Sequence, residues 1–139
     1  MRAVLDSNVL VSALLFRGPT TRLREHWQTM RLSLVATKPI VEEYARVLAY
    51  PKFDLGESTI AGILYEQVLP FCEIVPAASG PLWCRDQDDD KFLHCALAVN
   101  AALITGDPDL LDLRHAFRHL RILTPAQALK RLEPPRSRR

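Results

Sequence analysis

The chain has 139 residues, of which 48% are apolar and 24% are charged. This balance predicts one soluble globular domain with a sizeable core. No stretch approaches the roughly 18 consecutive apolar residues that a membrane-spanning helix needs. The net charge of +2 permits a nucleic-acid partner without requiring one.

The cysteines and the N-terminal segment bear on the cellular compartment. Cys72, Cys84 and Cys95 are odd in number and form no C-x-x-C pair, which is typical of reduced thiols rather than of a disulfide framework or a zinc site. Asp6 and Asn8 interrupt the apolar run at the start of the chain, and no small-residue cleavage site follows it. A cytoplasmic protein without a signal peptide is predicted.

In chain order, short apolar runs alternate with segments of helical periodicity. The first half is predicted as strand 3–5, a helix after Asp6, a helix from 20 or 21 to 27, strand 32–36 and a helix from 39 to 48. The second half is predicted as helix 57–69, strand 73–75, a loop at 76–85, a helix within the aspartate-rich segment, strand 103–105, strand 121–123 and helix 125–132. This alternation indicates an α/β fold with a parallel sheet between two helix layers, in which ligands bind at the carboxyl ends of the strands.

Acidic residues are predicted to meet at that edge of the sheet. Asp6 and Asp107 each follow a strand, so both lie at carboxyl ends. Glu43 borders the apolar face of the third helix, whereas Glu42 lies on the solvent face, four residues from Arg46, with which we expect it to pair. Helix capping explains an aspartate at a helix start, but it does not explain a glutamate inside a helix that faces the core.

The aspartate run supplies another acid. On a helical wheel Asp89 falls in the middle of the apolar stripe of the helix, with Asp88 and Asp90 on either side. A carboxylate on the apolar side is costly unless it is paired, and clustered carboxylates take up protons unless a cation neutralises them. Oxygen-only ligands suit Mg²⁺ or Mn²⁺, which favours metal-assisted hydrolysis of a phosphodiester.

Four segments of the chain, read together, carry a family resemblance. They are VLDSNVLVSALL, EEYARVLAYPKF, DQDDDKFLHCALA and ITGDPDLL, and they extend over essentially the whole chain to about residue 129. In this order they resemble the PIN-domain ribonucleases, of the kind found as VapC-like toxins in toxin–antitoxin pairs. The resemblance implies a three-layer α/β/α sandwich with a central mostly parallel sheet. It also implies a single PIN-like domain over residues 1–132, followed by a basic tail, 133–139, that we expect to be disordered.

The resemblance further implies the site, the cofactor and the partners. The quartet that would bind metal and carry catalysis falls on Asp6, Glu43, Asp89 and Asp107. The supporting polar positions fall on Asn8, Thr105 and Asp86. Asp88 and Asp90 are alternatives for the third acid. The implied cofactor is Mg²⁺ or Mn²⁺, as one or two ions that activate water, and the implied partners are an RNA substrate, a small antitoxin and a second copy of the chain.

Basic and aromatic residues provide candidates for RNA contact. The arginines that could bind phosphates are Arg17, Arg22, Arg114 and Arg118. His115 and His119 are four residues apart, but without further ligands a solvated basic face is favoured over a zinc site. Trp83 could stack on a base, whereas Trp27 is expected to lie in the core.

Two other functions compete with the nuclease. A haloacid-dehalogenase-like phosphatase also places an aspartate after its first strand, but it needs a second aspartate two residues later, where this chain has Asn8. The stronger alternative is a catalytically silent PIN-fold module that binds RNA or protein.

Overall fold

Five short parallel strands form one sheet in the computed structural model, which describes residues 1–134. The strands are β1 (Arg2–Leu5), β2 (Ser33–Ala36), β3 (Cys72–Ile74), β4 (Ala102–Ile104) and β5 (Ile122–Leu123). Their spatial order is β3-β2-β1-β4-β5, so the direction of winding reverses at β1. Every predicted strand is confirmed, with ends that differ by at most one residue.

Seven α-helices connect and cover the strands within residues 1–134. They are α1 (Ser7–Leu15), α2 (Thr21–Gln28), α3 (Lys38–Leu48), α4 (Glu57–Ile63), α5 (Asp90–Val99), α6 (Pro108–Asp112) and α7 (Pro125–Leu132). Since parallel crossovers are right-handed, the connections from β1 to β3 and those from β3 to β5 lie on opposite faces of the sheet. This arrangement confirms the predicted α/β/α sandwich.

The core is built from the strands and the inward faces of the helices. Trp27 is fully buried, and its Nε1–H donates to the carbonyl oxygen of Gln67 at 2.9 Å. Gln67 lies in one turn of π-helix, Leu64–Val68, which continues α4 and makes the predicted helix at 57–69 irregular. Trp27 is therefore a core residue, as predicted.

One sequence-based expectation about a side-chain pair is wrong. Arg46 forms its ion pair with Glu43, three residues earlier, and not with Glu42. Positions i and i+3 are neighbours on a helix just as i and i+4 are, so both glutamates are within reach of the guanidinium. His115 and His119 do not share a helix, because the helical segment ends in a 3₁₀ turn, Leu113–His115.

The predictions about the cysteines, membrane spans and the C-terminal tail can be compared with the described residues. All three cysteines are free thiols in the part of the chain that the structure describes. Over residues 1–134, none of the helices combines the length and the apolar character needed to cross a bilayer. Glu133 contacts His26 Nε2 at 2.5 Å and also pairs with Arg22. The rest of the predicted basic tail, residues 135–139, lies outside the described residues.

Asp90 fastens the long loop before α5. Its Oδ1 accepts the backbone N–H groups of Trp83 at 2.8 Å and Cys84 at 3.0 Å. Burial by itself would raise the pKa of Asp90, but these hydrogen bonds hold that pKa below its ordinary value. The carboxylate therefore serves the folded state in its ionised form.

We expect Asp90→Asn to lower the free energy of unfolding by roughly 1.5–3 kcal/mol at neutral pH, because two backbone donors lose a charged acceptor. The folded pKa lies below the unfolded one, so this stabilisation is present above the unfolded pKa and is lost as pH falls through the folded pKa. Urea unfolding at neutral and acidic pH measures both effects. Asp88→Asn, at an exposed neighbour, is the matched control; equal losses in the two variants would contradict the anchoring role.

Candidate active site

The pairing of β1 with β4 brings two polar segments together. Leu5 is in register with Ile104, and the Asp6 N–H continues the ladder by donating to the carbonyl oxygen of Ile104 at 3.0 Å. Asp6 and Thr105 therefore leave the sheet side by side, at the carboxyl ends of adjacent strands. This is the place where the direction of winding reverses, which is where open α/β sheets form a ligand crevice.

Thr105 links the two aspartates that follow these strands. Its hydroxyl donates to Asp6 Oδ2 at 2.7 Å and accepts the Asp107 N–H at 3.0 Å. Thr105 is completely buried, so both bonds are shielded from water. The side chain that the resemblance placed in a supporting position therefore holds Asp6 and the backbone of Asp107 in a fixed relation.

Asp6 is a buried carboxyl group, with only 5% of the residue exposed. Burial is the largest cause that raises its pKa above the ordinary value, and the negative charges of Asp107 and Glu43 add to it. Hydrogen bonds from Thr105 and from the backbone of Ser7 oppose this rise. The environment of Asp6 thus disfavours a lone negative charge and favours a cation beside it.

Asp107 caps α6 and also faces the crevice. Its carboxylate accepts the Asp109 N–H at 2.9 Å, so the capping role anticipated for such aspartates is present. Asp107 also lines a pocket of about 470 Å³ together with Asp6, Asn8 and Pro125. We call this pocket the acid cleft. Asn8 is exposed and lines this pocket.

Asp89 is the member of the aspartate run that faces the other acids. Burial comes first, followed by the negative charges of Asp6, Asp86 and Asp107, and together they raise the pKa of Asp89 to about 7. Asp88, by contrast, is exposed.

The local backbone explains this division among the aspartates. The Asp86 carboxylate accepts the Asp88 N–H at 3.0 Å and starts a 3₁₀ turn, Gln87–Asp89, ahead of α5. Asp89 therefore precedes the helix, and the expectation that it lies within the helix's apolar stripe is wrong. Asp90, the first residue of α5, is the one that turns into the protein.

Glu43 points inward from α3, as predicted, but cations already hold it. Lys91 Nζ lies 3.1 Å from Glu43 Oε1, and the Arg46 guanidinium contacts the same oxygen. The side chain of Glu43 is only 12% exposed. Glu43 acts on the pKa of Asp6 through its charge, yet its carboxylate is bound to α5 and to its own helix.

Tyr44 and Lys91 have structural roles at the site that the sequence interpretation did not identify. The Tyr44 hydroxyl donates to the Leu5 carbonyl oxygen at 2.6 Å and so holds α3 against the end of β1. Burial raises the pKa of Tyr44 well above its ordinary value, which keeps the hydroxyl protonated as a donor. The sequence signals were slight: Tyr44 reads as part of an apolar face, and Lys91 as the end of an acidic run.

The four predicted acids have the oxygen donors that a divalent cation prefers, but their side chains are not arranged around a common point. Over residues 1–134, no three His, Cys, Asp or Glu side chains are arranged so that they would surround an ion. The negative charge of Asp107 nevertheless contributes to the raised pKa values of both Asp6 and Asp89, and all three side chains offer only oxygen donors.

The four arginines predicted to bind RNA do not form a single cluster in the structure. Arg17 is exposed after α1, and Arg22 is paired with Glu133. Arg114 and Arg118 line a second pocket, beside β5. Trp83 is 38% exposed and packs edge-on against Phe117, with ring centroids 4.9 Å apart.

A family model with the description PIN domain matches residues 2–109. An uncharacterised protein of Methanocaldococcus jannaschii is 39% identical over 144 aligned residues, which cover 96% of this chain and 92% of that protein. The chain belongs to the PIN-domain family, whose members are typically nucleases.

Solved structures of similar fold agree with this assignment. One is VapBC2 from Rickettsia felis bound to a DNA fragment from their promoter, with a TM-score of 0.62 and 16% identity over 89% of this chain and 98% of that chain. Another is FitAcB from Neisseria gonorrhoeae, with a TM-score of 0.62, 15% identity and the same coverage. At such identities the likeness shows the fold alone.

Thr105→Val should raise the pKa of Asp6 further, because the carboxylate loses a hydroxyl donor that now lowers that pKa. The variant should also lose roughly 1.5–3 kcal/mol of unfolding free energy, the usual worth of a hydrogen bond to a charged group. Carboxyl carbon NMR titration and urea unfolding measure the two effects. Thr105→Ser keeps the hydroxyl and should stay near wild type; an unchanged pKa in the valine variant would remove Thr105 from this role.

Proposed function

We propose that this PIN-domain protein is a divalent-metal-dependent endoribonuclease and the toxin of a toxin–antitoxin pair. The observation that carries the proposal is that the Thr105 hydroxyl hydrogen-bonds to both the Asp6 carboxylate and the Asp107 N–H. The charges of these two aspartates, together with burial, also raise the pKa of Asp89. Helix capping does not require these three aspartates to lie close together, whereas a metal-dependent phosphodiesterase requires clustered oxygen ligands at an open cleft.

Asp6, Glu43, Asp89 and Asp107 would hold one or two Mg²⁺ or Mn²⁺ ions. When bound, the metal would neutralise the carboxylates and polarise both the scissile phosphate and the attacking water. Thr105 would keep the Asp6 carboxylate oriented throughout, and the exposed amide of Asn8 would donate to a phosphate oxygen in the acid cleft. Asp86 would support Asp89 indirectly, by setting the turn that presents it.

The partners follow from the family resemblance and from the structural neighbours. VapBC2 and FitAcB are toxin–antitoxin complexes that share this chain's fold, which supports a small antitoxin as the partner that restrains activity. RNA as the substrate, a homodimer and a cytoplasmic location belong to the same proposal.

A catalytically silent PIN-fold module is the second candidate, and the binding of Glu43 by cations favours it. Lys91 and Arg46 already neutralise one of the four acids, as happens in a structural ion-pair cluster. Such a module would bind RNA or protein with the same fold but without metal-dependent turnover.

Cleavage of a mixed RNA pool with Mg²⁺, Mn²⁺ or EDTA decides between the candidates. We expect metal-dependent cutting that falls at least about 100-fold in Asp6→Asn and in Asp89→Asn, because each removes a charged ligand from the reacting centre. Asp88→Asn, in the same turn but exposed, should cut like wild type.

Each other outcome has a definite meaning for the proposal. Cutting that survives Asp6→Asn would contradict the quartet. An inactive wild type that still binds RNA would favour the silent module. Loss in Asp88→Asn with normal cutting by Asp89→Asn would move the third acid to Asp88.

Lys91→Met should tighten Mg²⁺ binding by roughly 3- to 10-fold, since it removes a cation that competes for Glu43. Isothermal titration calorimetry measures this without any RNA. Lys91→Arg keeps a cation at the position and should bind Mg²⁺ like wild type. Weaker Mg²⁺ binding in Lys91→Met would mean that Lys91 organises the ligands instead of competing with the ion.

A further inference from the structure

A second pocket lies on the outer side of the edge strand β5. It has a volume of about 550 Å³ and is bounded by the segment before β5 on one side and by α7 on the other. Five cationic side chains and Ile122 contribute to its lining: Arg114, Arg118, Arg121, Lys130 and Arg131. We call it the basic groove.

The charge of the basic groove is not balanced within the described chain. No aspartate or glutamate contributes to its lining. The ion pairs found over residues 1–134 involve other cations, such as Arg2, Arg22 and Arg46. Lys130 and Arg131, in the last turn of α7, face the favourable carbonyl end of that helix. A protein with a net charge of only +2 therefore concentrates positive charge on one face, which attracts a polyanion.

The shape of the basic groove favours a nucleic-acid backbone over a peptide. The apolar part of its lining consists of Phe117, which is half-buried, and of three residues that are buried, Leu120, Ile122 and Leu123. β5 is two residues long, which is too short to pair with a substantial added strand. Cations along an open channel are what a chain of phosphates requires.

The start of α7 contributes residues to both the basic groove and the acid cleft. Pro125 lines the acid cleft, and Gln127, two residues later, lines the basic groove. Gln127 Oε1 accepts both the Thr124 N–H at 3.0 Å and Arg114 Nη1 at 3.3 Å. The first turn of α7 therefore borders both pockets.

We propose that the basic groove binds the sugar–phosphate backbone of a single RNA strand that leaves the acid cleft. This inference rests on the proposed ribonuclease function and assigns the flanking part of its substrate to a definite surface. Arg118, Arg121, Lys130 and Arg131 contact phosphates by charge, and Arg114 is held in place by Gln127. Arg114 and Arg118 were candidates from the sequence; Lys130 and Arg131 join them only because α7 packs beside β5.

The test measures binding of a fluorescein-labelled oligouridylate of about 12 nucleotides, a length that spans an ordinary single-strand site. The background is Asp6→Asn, with EDTA and then with Mg²⁺, so that cleavage does not enter. Adding Arg118→Gln with Lys130→Gln should weaken binding about tenfold at low salt and reduce the salt slope by about 1.4, or roughly 0.7 per lost phosphate contact.

Arg31→Gln with Lys52→Gln is the matched control, because it removes the same charge from exposed positions outside the groove. Control and groove variants with equal affinity and slope would overturn the inference while leaving the nuclease proposal intact. No binding by the background chain with EDTA or with Mg²⁺ would instead contradict RNA as the substrate.

Lysine acetylation followed by mass spectrometry locates the contact without substitution. Bound oligouridylate should protect Lys130, and Lys52 should react equally with and without RNA. Competition by polyglutamate at Lys130, with RNA binding unaffected, would identify the basic groove as a site for an acidic peptide and overturn the assignment to RNA.

Discussion

The hydroxyl group of Thr105 is the contact on which the candidate site depends. It donates to the Asp6 carboxylate and accepts the Asp107 N–H, so one buried atom joins the ends of β1 and β4. Only parallel pairing of these strands in the observed register brings the groups within reach. The burial that shields these bonds also raises the pKa of Asp6, so an ionised Asp6 is costly unless a positive charge lies beside it.

Opposite charges gather in two pockets that the first turn of α7 borders. The acid cleft contains Asp6 and Asp107, whose negative charges add to the effect of burial in raising the pKa of the neighbouring Asp89 to about 7. The basic groove gathers arginines and lysines that have no acid among them. Between the two, Gln127 bonds to a cation of the groove and to the backbone that leads out of β5. A negatively charged substrate would be attracted by the groove and repelled by the cleft until a metal ion reversed the charge there.

The local sequence pattern was sufficient to predict the strands, but it was insufficient to predict several side-chain contacts. Apolar runs predicted all five strands, and the aspartates after β1 and β4 were correctly placed at the carboxyl edge. The helical wheel misplaced Asp89, because the Asp86 carboxylate starts a 3₁₀ turn in which the periodicity of an α-helix does not apply. Arg46 paired with Glu43 rather than Glu42, and Lys91, 45 residues further along the chain, contacts the same Glu43 oxygen.

The sequence by itself determined the alternation of strands and helices and the PIN-domain family, and it supplied the four candidate acids, since these follow from periodicity, residue type and motif order. The tertiary structure decided which neighbours those acids have. It turned Asp90 into a loop anchor, held Glu43 with Lys91 and placed α7 beside β5 to complete the basic groove. The physical reason is that hydrophobic burial specifies which faces turn inward, whereas charge pairing depends on distances between segments far apart in the chain.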